Sequence, residues 1–516
     1  MNESVKKYYL FFTLFITGAA VMVLELAGTR VVAPVYGSGL FVWASLITVA
    51  LTCLAIGYWI GGKIADKKPK FGTFYLIILV GGILIAPVSQ VASPVLRLTA
   101  NLGFRLGPLF SAYLLFAAPL VLLGMVSPYA IKLATNELKV LGSTAGRLYA
   151  ISTLGSFIGT LLTGFLLIPA IGTKKILCLQ SLILILLWIG YQLINKKYSL
   201  GLSSAVLLSL PLLFIFTYFP PRKESKKIRM LYKSESIHGQ LKVFEEGMER
   251  KLYLDNMRQS SIHMNTYLPT GEIYYSFELL PLFNPGGKNA LLIGLAGGNI
   301  PRRLWEYGIV TDCVDIEPKM EYIARKYFGF LDYFGKIYIN DGRSYINSTK
   351  NGYDFVVIDV FTGDDIPFHL LTRECFQEIK NLLRKNGILG INFMGEIYGK
   401  NSLGWKSVYQ TLHQVFPYVK AFSLLKGSKL TDTVSNVIFF ASTTPLKSPE
   451  DIRPFCKGSL PQHIIDLFLK CELDIDSKEG IVLTDDCSPI EFLRKNVSQK
   501  VRQKQIYYEP ERYFLE

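Results

Sequence analysis

Seven apolar runs fill the first 220 residues, near 8–28, 41–62, 71–92, 108–131, 147–170, 174–194 and 199–219. The hydrocarbon core of a bilayer, about 30 Å thick, takes roughly 20 apolar residues per helix, so each run has the length of a span. Lipid offers no partner to a backbone N–H or C=O, which restricts such a region to α-helices that satisfy themselves. The first run follows Lys6-Lys7 as a signal peptide would, but its length and the runs close behind it mark a retained helix. Charge divides at the same point: residues 1–220 carry 16 Lys/Arg against 4 Asp/Glu, whereas residues 221–516 carry 39 against 36. The surplus cations therefore lie in short loops between apolar runs and form no continuous basic face, which argues against nucleic acid as a partner. Half of the residues are hydrophobic, 18% are charged, and the mean hydropathy is +0.31. These values exclude an ordinary soluble enzyme and make membrane lipid the first expected partner.

Short-loop cations also orient the spans. The densest loop, Lys63 to Lys70, lies between the second and third runs and is expected on the cytoplasmic side, with the N-terminus inside. Seven crossings would leave residue 220 outside, yet 222–229 is strongly basic. An even number of crossings, with one run re-entrant or two mis-split, reconciles the two and puts the rest of the chain in the cytoplasm at the cell (inner) membrane. Glu25, inside the first run, is costly at membrane depth and is a site candidate for that reason; pairing with Arg30 to fix packing is the competing reading. Gly155, Gly159 and Gly164 in the fifth run suggest close helix approach. The seven cysteines show no CxxC pair and no clustering with the five histidines, so neither a disulfide framework nor a zinc site is expected.

Beyond Phe219-Pro220-Pro221 the pattern changes. Alternating stretches at 240–244 and 250–254 flank Asp255-Asn256 and read as a small β-hairpin subdomain over 221–285. From 286 to 516, buried-type strands at 290–294, 310–316, 336–339, 355–360, 388–393 and 437–440 alternate with helical segments at 300–307, 319–328 and 371–383. That alternation implies a Rossmann-like, methyltransferase-type parallel sheet with helices on both faces, whose ligands bind at the carboxyl ends of the strands. The polar chemistry gathers there. Gly294, Gly297 and Gly298 form a turn through which a nucleoside can approach the backbone. Asp315 ends the next strand, where an acid grips ribose hydroxyls, and no phosphate-binding cation accompanies the turn. Asp341-Gly342 follows the third strand and is either an acceptor for an exocyclic amine or a plain turn. Asp359, Asp364 and Asp365 put three carboxylates within seven residues at the end of the fourth strand. Such crowding calls for a cation; a metal would want more ligands in a tighter array, whereas an ammonium substrate supplies charge and a proton to remove. Helix capping accounts for Asp364 or Asp365 but not for Asp359, which is still on the strand.

With these residues in view, 235–445 resembles the spermidine synthase family of polyamine aminopropyltransferases, in the subgroup fused to an N-terminal multi-span region. Leu254-Asp-Asn-Met-Arg-Gln-Ser260 is similar to the family's LDGxxQ, Leu292–Gly298 to IGGGDGG, Val314-Asp-Ile-Glu317 to VEID, Asn340-Asp-Gly342 to GDG, and Ile358-Asp359 onward to the catalytic VDSSDP. The resemblance implies decarboxylated S-adenosylmethionine as cosubstrate with no tightly bound cofactor, Asp315 on the ribose and Asp341-Gly342 near adenine. It further implies Asp359 as base, Asp364 or Asp365 on the ammonium of a diamine, Tyr275 lining the amine channel and Gln259 flanking the site. The family's Asp within IGGGDGG falls at Gly297, and the catalytic loop reads DVFTGDD, so donor and acceptor identity are the points of departure. A methyltransferase using the carboxylated donor and a non-catalytic polyamine transporter or sensor are the alternatives. Whether copies of the chain form a homo-oligomer is left open by the sequence.

Overall fold

The structure is a computed structural model that describes residues 3–37, 39–135, 141–195, 228–236, 238–361, 366–424, 434–448, 472–473 and 479–508. It divides into two compact units, one holding the N-terminal helices and the other both β-sheets.

In the first unit, α1 (Glu3–Tyr36), α2 (Leu40–Lys67), α3 (Phe71–Ile85), α4 (Val88–Thr99), α5 (Gly103–Ala134), α6 (Leu141–Leu161), α7 (Ile168–Ile171) and α8 (Thr173–Asn195) follow the apolar runs. A π-helical stretch, Leu162–Leu167, joins α6 to α7. Among the described residues, five helices are long and apolar enough to cross a membrane, and the bent pair Phe71–Ile85 and Val88–Leu102 makes a sixth if counted as one span. The run expected at 71–92 is therefore not one straight helix: it turns by 59° at Ala86-Pro87, where proline removes a ladder donor and disfavours helical backbone before it. The run at 199–219 lies outside the described residues.

Small residues let these helices approach closely. A Cβ on Gly155 would stand 2.0 Å from the Phe15 carbonyl oxygen, and one on Gly159 would stand 2.9 Å from Ala19 Cα, which seats α6 against α1. Gly164 differs from its expected role, since a Cβ there would meet nothing within 4 Å. Gly57 and Gly61 do for α2 what Gly155 and Gly159 do for α6, with α5 as the neighbour. Glu25 is half-buried within α1.

The second unit holds two sheets. The hairpin extends to a four-stranded antiparallel sheet, β1 (Ile228–Glu235), β2 (Gln240–Glu246), β3 (Glu249–Leu254) and β4 (Met257–His263), in that order. Asp255 and Asn256, at φ 46° and 63°, make the two-residue β3–β4 turn that left-handed backbone favours. The larger sheet contains β5 (Asn289–Ile293), β6 (Val310–Asp315), β7 (Ile337–Ile339), β8 (Tyr353–Ile358), β9 (Leu383–Glu396), β10 (Tyr418–Ser423) and β11 (Val434–Ser442) in the order β10-β11-β9-β8-β5-β6-β7. β5 through β9 run parallel, while β10 and β11 are antiparallel. The stretch at 437–440 was expected as one more parallel strand, and it corrects to half of an edge hairpin with β10. The central strands are buried on both faces, as Phe355-Val-Val-Ile358 illustrates, and read as continuous apolar runs for that reason. Strand order reverses between β5 and β8, which opens a crevice at their carboxyl ends.

Candidate active site

The chain leaves β5 through Gly294 at φ +99°, where a Cβ would lie 2.2 Å from the Asp359 carbonyl oxygen. Only glycine lets the β5 turn pass so close to the end of β8. The Gly294 N–H donates to Val314 O (2.8 Å) and the Asp359 N–H to Ile293 O (2.9 Å), so three strand ends are stitched together at the crevice.

Asp359 is the first residue beyond β8. Its Oδ1 accepts from Asn392 Nδ2 on β9 (2.8 Å), and Asn392 Oδ1 accepts in turn from Asn436 Nδ2 on β11 (2.8 Å). The second bond settles which way the Asn392 amide faces and so presents a donor to the carboxylate. Burial pushes the Asp359 carboxyl up to about 6, while the Asn392 bond acts in the opposite direction. A carboxylate with that value is ionised at neutral pH yet is a better proton acceptor than an ordinary aspartate.

Asp315, at the end of β6, accepts from Leu295 N–H (2.9 Å) and Glu317 N–H (2.9 Å). It braces the glycine turn, whose Leu295 and Ala296 amides both bond it. Burial raises its pKa against these amide bonds. Asp341 caps the helix Gly342–Ser348 through Ser344 N–H (2.9 Å) and lies 3.4 Å from His369 Nε2. Burial opposes its charge, but the Ser344 amide and the His369 ring prevail and hold its carboxyl below the usual range. A Cβ on Gly342 would press on Ile293 at 2.5 Å, so glycine closes this turn against β5. Gly297 has little room as well: a Cβ would meet Ser260 Oγ at 2.5 Å and the Phe328 ring at 2.8 Å. Gly298, at φ +71°, leads into the helix Asn299–Trp305.

Gln259 turns its amide back to Met257 O (3.3 Å), while its own carbonyl accepts from the Tyr274 hydroxyl (2.9 Å). The Tyr275 hydroxyl donates to Pro269 O (3.1 Å), and its ring lies 5.1 Å from the Arg303 guanidinium. Tyr274 is the tyrosine whose hydroxyl feels the Asp359 charge. Burial pushes its hydroxyl up to about 12, the nearby Asp359 charge adds to this, and Ser260, Arg258 and Asn299 oppose it. Consecutive residues on the short helix Ile273–Ser276 point about 100° apart, so a one-residue difference decides which tyrosine meets the acid. Asp364 and Asp365 lie outside the described residues.

Sequence reasoning passed over Tyr274, Asn392, Asn436 and Asn299. Asn392 did leave a signal, an amide in the apolar stretch Ile391-Asn-Phe393, where a buried polar group demands a partner. Asp485 accepts from Thr372 Oγ1 (2.6 Å) and Arg343 Nη2 (3.1 Å), and Leu483 O accepts from Arg373 N–H (2.9 Å). This segment thus pins Arg343, two residues beyond Asp341, to the start of the helix Arg373–Leu382.

The spermine/spermidine synthase domain matches residues 279–437. A polyamine aminopropyltransferase of Vibrio vulnificus is 30% identical over 287 residues, which cover 51% of this chain and 91% of that protein. An N-terminal histidine N-methyltransferase of Emericella nidulans is 30% identical over 161 residues, 30% of this chain and 28% of that protein. A spermidine synthase crystal structure from Thermotoga maritima shares 21% identity, covers 46% of this chain and 84% of that one, and has a TM-score of 0.36. With a full-length relative at this identity, the chain belongs to the polyamine aminopropyltransferase family and is a transferase.

Proposed function

We propose that the protein transfers the aminopropyl group of decarboxylated S-adenosylmethionine to a diamine such as putrescine, giving spermidine and methylthioadenosine. The observation that carries this reading is Asp359, poised near pH 6 where the strand order reverses and aimed by Asn392. An amine nitrogen attacks the aminopropyl carbon beside the sulfonium, the carbon–sulfur bond breaks, and sulfur keeps the electron pair as a neutral thioether. The proton released by the new secondary ammonium passes to Asp359. Because the sulfonium is already a good leaving group, alignment and amine neutralisation are the protein's contributions. Asp315 would hold the ribose and Asp341 the adenine, each through lone pairs left after its backbone bonds. Asp364 and Asp365 would meet the far ammonium of the diamine.

Methyl transfer from the carboxylated donor is the second reading, favoured by the likeness to a histidine methyltransferase and by glycine at position 297. Mass spectrometry of products formed by the detergent-purified protein from each donor and a panel of diamines separates the two. The first reading expects a product heavier by one aminopropyl group that disappears in Asp359→Asn; a methylated product formed from the carboxylated donor alone overturns it.

We further infer that the helical unit is anchored in the membrane with the transferase unit on the cytoplasmic side. The basic loop Lys63 to Lys70 and the basic stretch at 222–229 support this reading, because short cationic segments favour the cytoplasmic side. Reporter fusions after residue 220 that report an exterior location would refute it.

A further inference from the structure

Asn299 begins the helix that follows the glycine turn, and it is 3% exposed. Its Nδ2 donates to Ser260 Oγ (2.9 Å) and contacts Ser261 O (3.3 Å) on β4. Those two bonds hold the amide plane and set its Oδ1 as an acceptor, yet that buried oxygen has no hydrogen-bond partner among the described residues. Buried polar atoms are nearly always satisfied, so an orphan beside a reaction site marks a place where a ligand completes the bonding. The ligand group must donate, because the orphan is a carbonyl oxygen. Its surroundings narrow the choice. Asn299, Ser260 and Asp359 all act on the Tyr274 hydroxyl, which places the amide in the same polar cluster as the base. Gly297 cannot carry a side chain there unless Ser260 and Phe328 move, so Asn299 supplies the side-chain oxygen of this turn.

We propose that Asn299 Oδ1 accepts an N–H from the terminal ammonium of the nucleoside donor, and that its neutrality sets how strictly the protein tells a decarboxylated donor from a carboxylated one. A carboxylate in this position would attract the ammonium and repel a donor's carboxylate together; an amide bonds the first without repelling the second. The inference rests on the donor being a sulfonium nucleoside with an ammonium-bearing chain, as in the proposed function.

Titration calorimetry of the detergent-purified full chain tests it with three probes: methylthioadenosine, which lacks the ammonium, decarboxylated S-adenosylmethionine and S-adenosylmethionine. Asn299→Ala is expected to weaken the decarboxylated donor about tenfold while methylthioadenosine stays within about twofold, the size of one lost charge-assisted bond. Asn299→Asp is expected to shift the ratio of the two donors' affinities about tenfold toward the decarboxylated one. The ratio is taken within one variant, so it decides the matter even if Asn299→Ala folds poorly. Equal losses for all three probes, or an unchanged ratio in Asn299→Asp, overturn the proposal. These are binding measurements, so a wild-type protein without aminopropyl transfer would end the proposed function while the donor ratio still judged Asn299.

Discussion

The helical unit and the α/β unit differ in what their buried polar groups are gathered to do. In the helices, many hydroxyls return to their own backbone: Thr13 donates to Tyr9 O (2.8 Å), Thr17 to Thr13 O (2.9 Å), Ser45 to Phe41 O (2.7 Å) and Thr160 to Ser156 O (2.8 Å). Where a side chain does cross between helices, a carbonyl can receive it, as when Gln180 reaches Ala20 O (2.7 Å). Such a helix is complete in its hydrogen bonding before it meets a neighbour, which is what a lipid surround demands. In the α/β unit the decisive bonds join side chains far apart in sequence, Asn436 to Asn392 to Asp359. Chemistry requires a group whose protonation is set by neighbours, and only a sheet that gathers three strand ends provides them. One unit is specified segment by segment; the other makes its site from the assembled tertiary structure.

The largest effect that would test this contrast is on turnover. Asp359→Asn removes the proposed proton acceptor and is expected to lower kcat by about 10²–10⁴-fold, measured by product formation at saturating donor and diamine. The same change is expected to raise the stability of the α/β unit at pH 7. A carboxyl at about 6 in the folded state, against an ordinary value near 3.9, means that the native state keeps a proton through a window in which the unfolded chain has released it. Stability from this group therefore falls as pH rises from about 4 to 6, and the amide escapes that loss. Thermal unfolding at pH 7 that shows Asp359→Asn no more stable than the native sequence would contradict burial as the cause of the raised value.

Next in size is a break in the helical unit. Gly155→Val places a branched carbon against the Phe15 backbone, and overpacking of this kind costs about 1–3 kcal/mol. Thermal denaturation in detergent should show an earlier transition in the variant, and an unchanged midpoint would mean that α1 and α6 are not held at this distance.

Asn392→Leu tests the relay directly. Its donor favours the charged form of Asp359, so removal should move the acidic limb of the kcat/KM profile above about pH 6. Asn436→Leu should move the limb in the same direction but less, because it frees the Asn392 amide to rotate without deleting it. A fall in kcat/KM at all pH values with no displacement of the limb would reduce both residues to a structural role. The smallest effect belongs to Thr17→Val in α1, where only local bonds to the Thr13 and Leu14 carbonyls are lost; the expected cost is about 1 kcal/mol or less, read from the same detergent denaturation.

Much of the architecture was legible in the residues. Hydropathy alone located the helical unit, and the alternation of apolar strands with turns located β5 through β9 to within a few residues. Asp315, Asp341 and Asp359 were readable because each follows a strand whose apolar character is plain, and the crevice rule then brings strand ends together. What escaped was whatever depended on rotation or on distant pairing. The break at Ala86-Pro87 hides within a run of suitable length, and the antiparallel β10–β11 edge follows from pairings that no local period encodes. Tyr274 and Tyr275 are adjacent and chemically alike, and only the placement of the helix Ile273–Ser276 against β4 decides which one reaches Gln259 O.

Sequence by itself determined the two-part character of the chain and the class of its chemistry, because apolar length, strand period and carboxylate type are local properties written residue by residue. Tertiary structure alone decided which of those residues act together. The Asp359 carboxyl takes its value near 6 from burial and from an amide 33 positions away, itself oriented by another 44 positions further on. Solvation and hydrogen bonding act through space, so a proton affinity belongs to the folded neighbourhood and not to the residue.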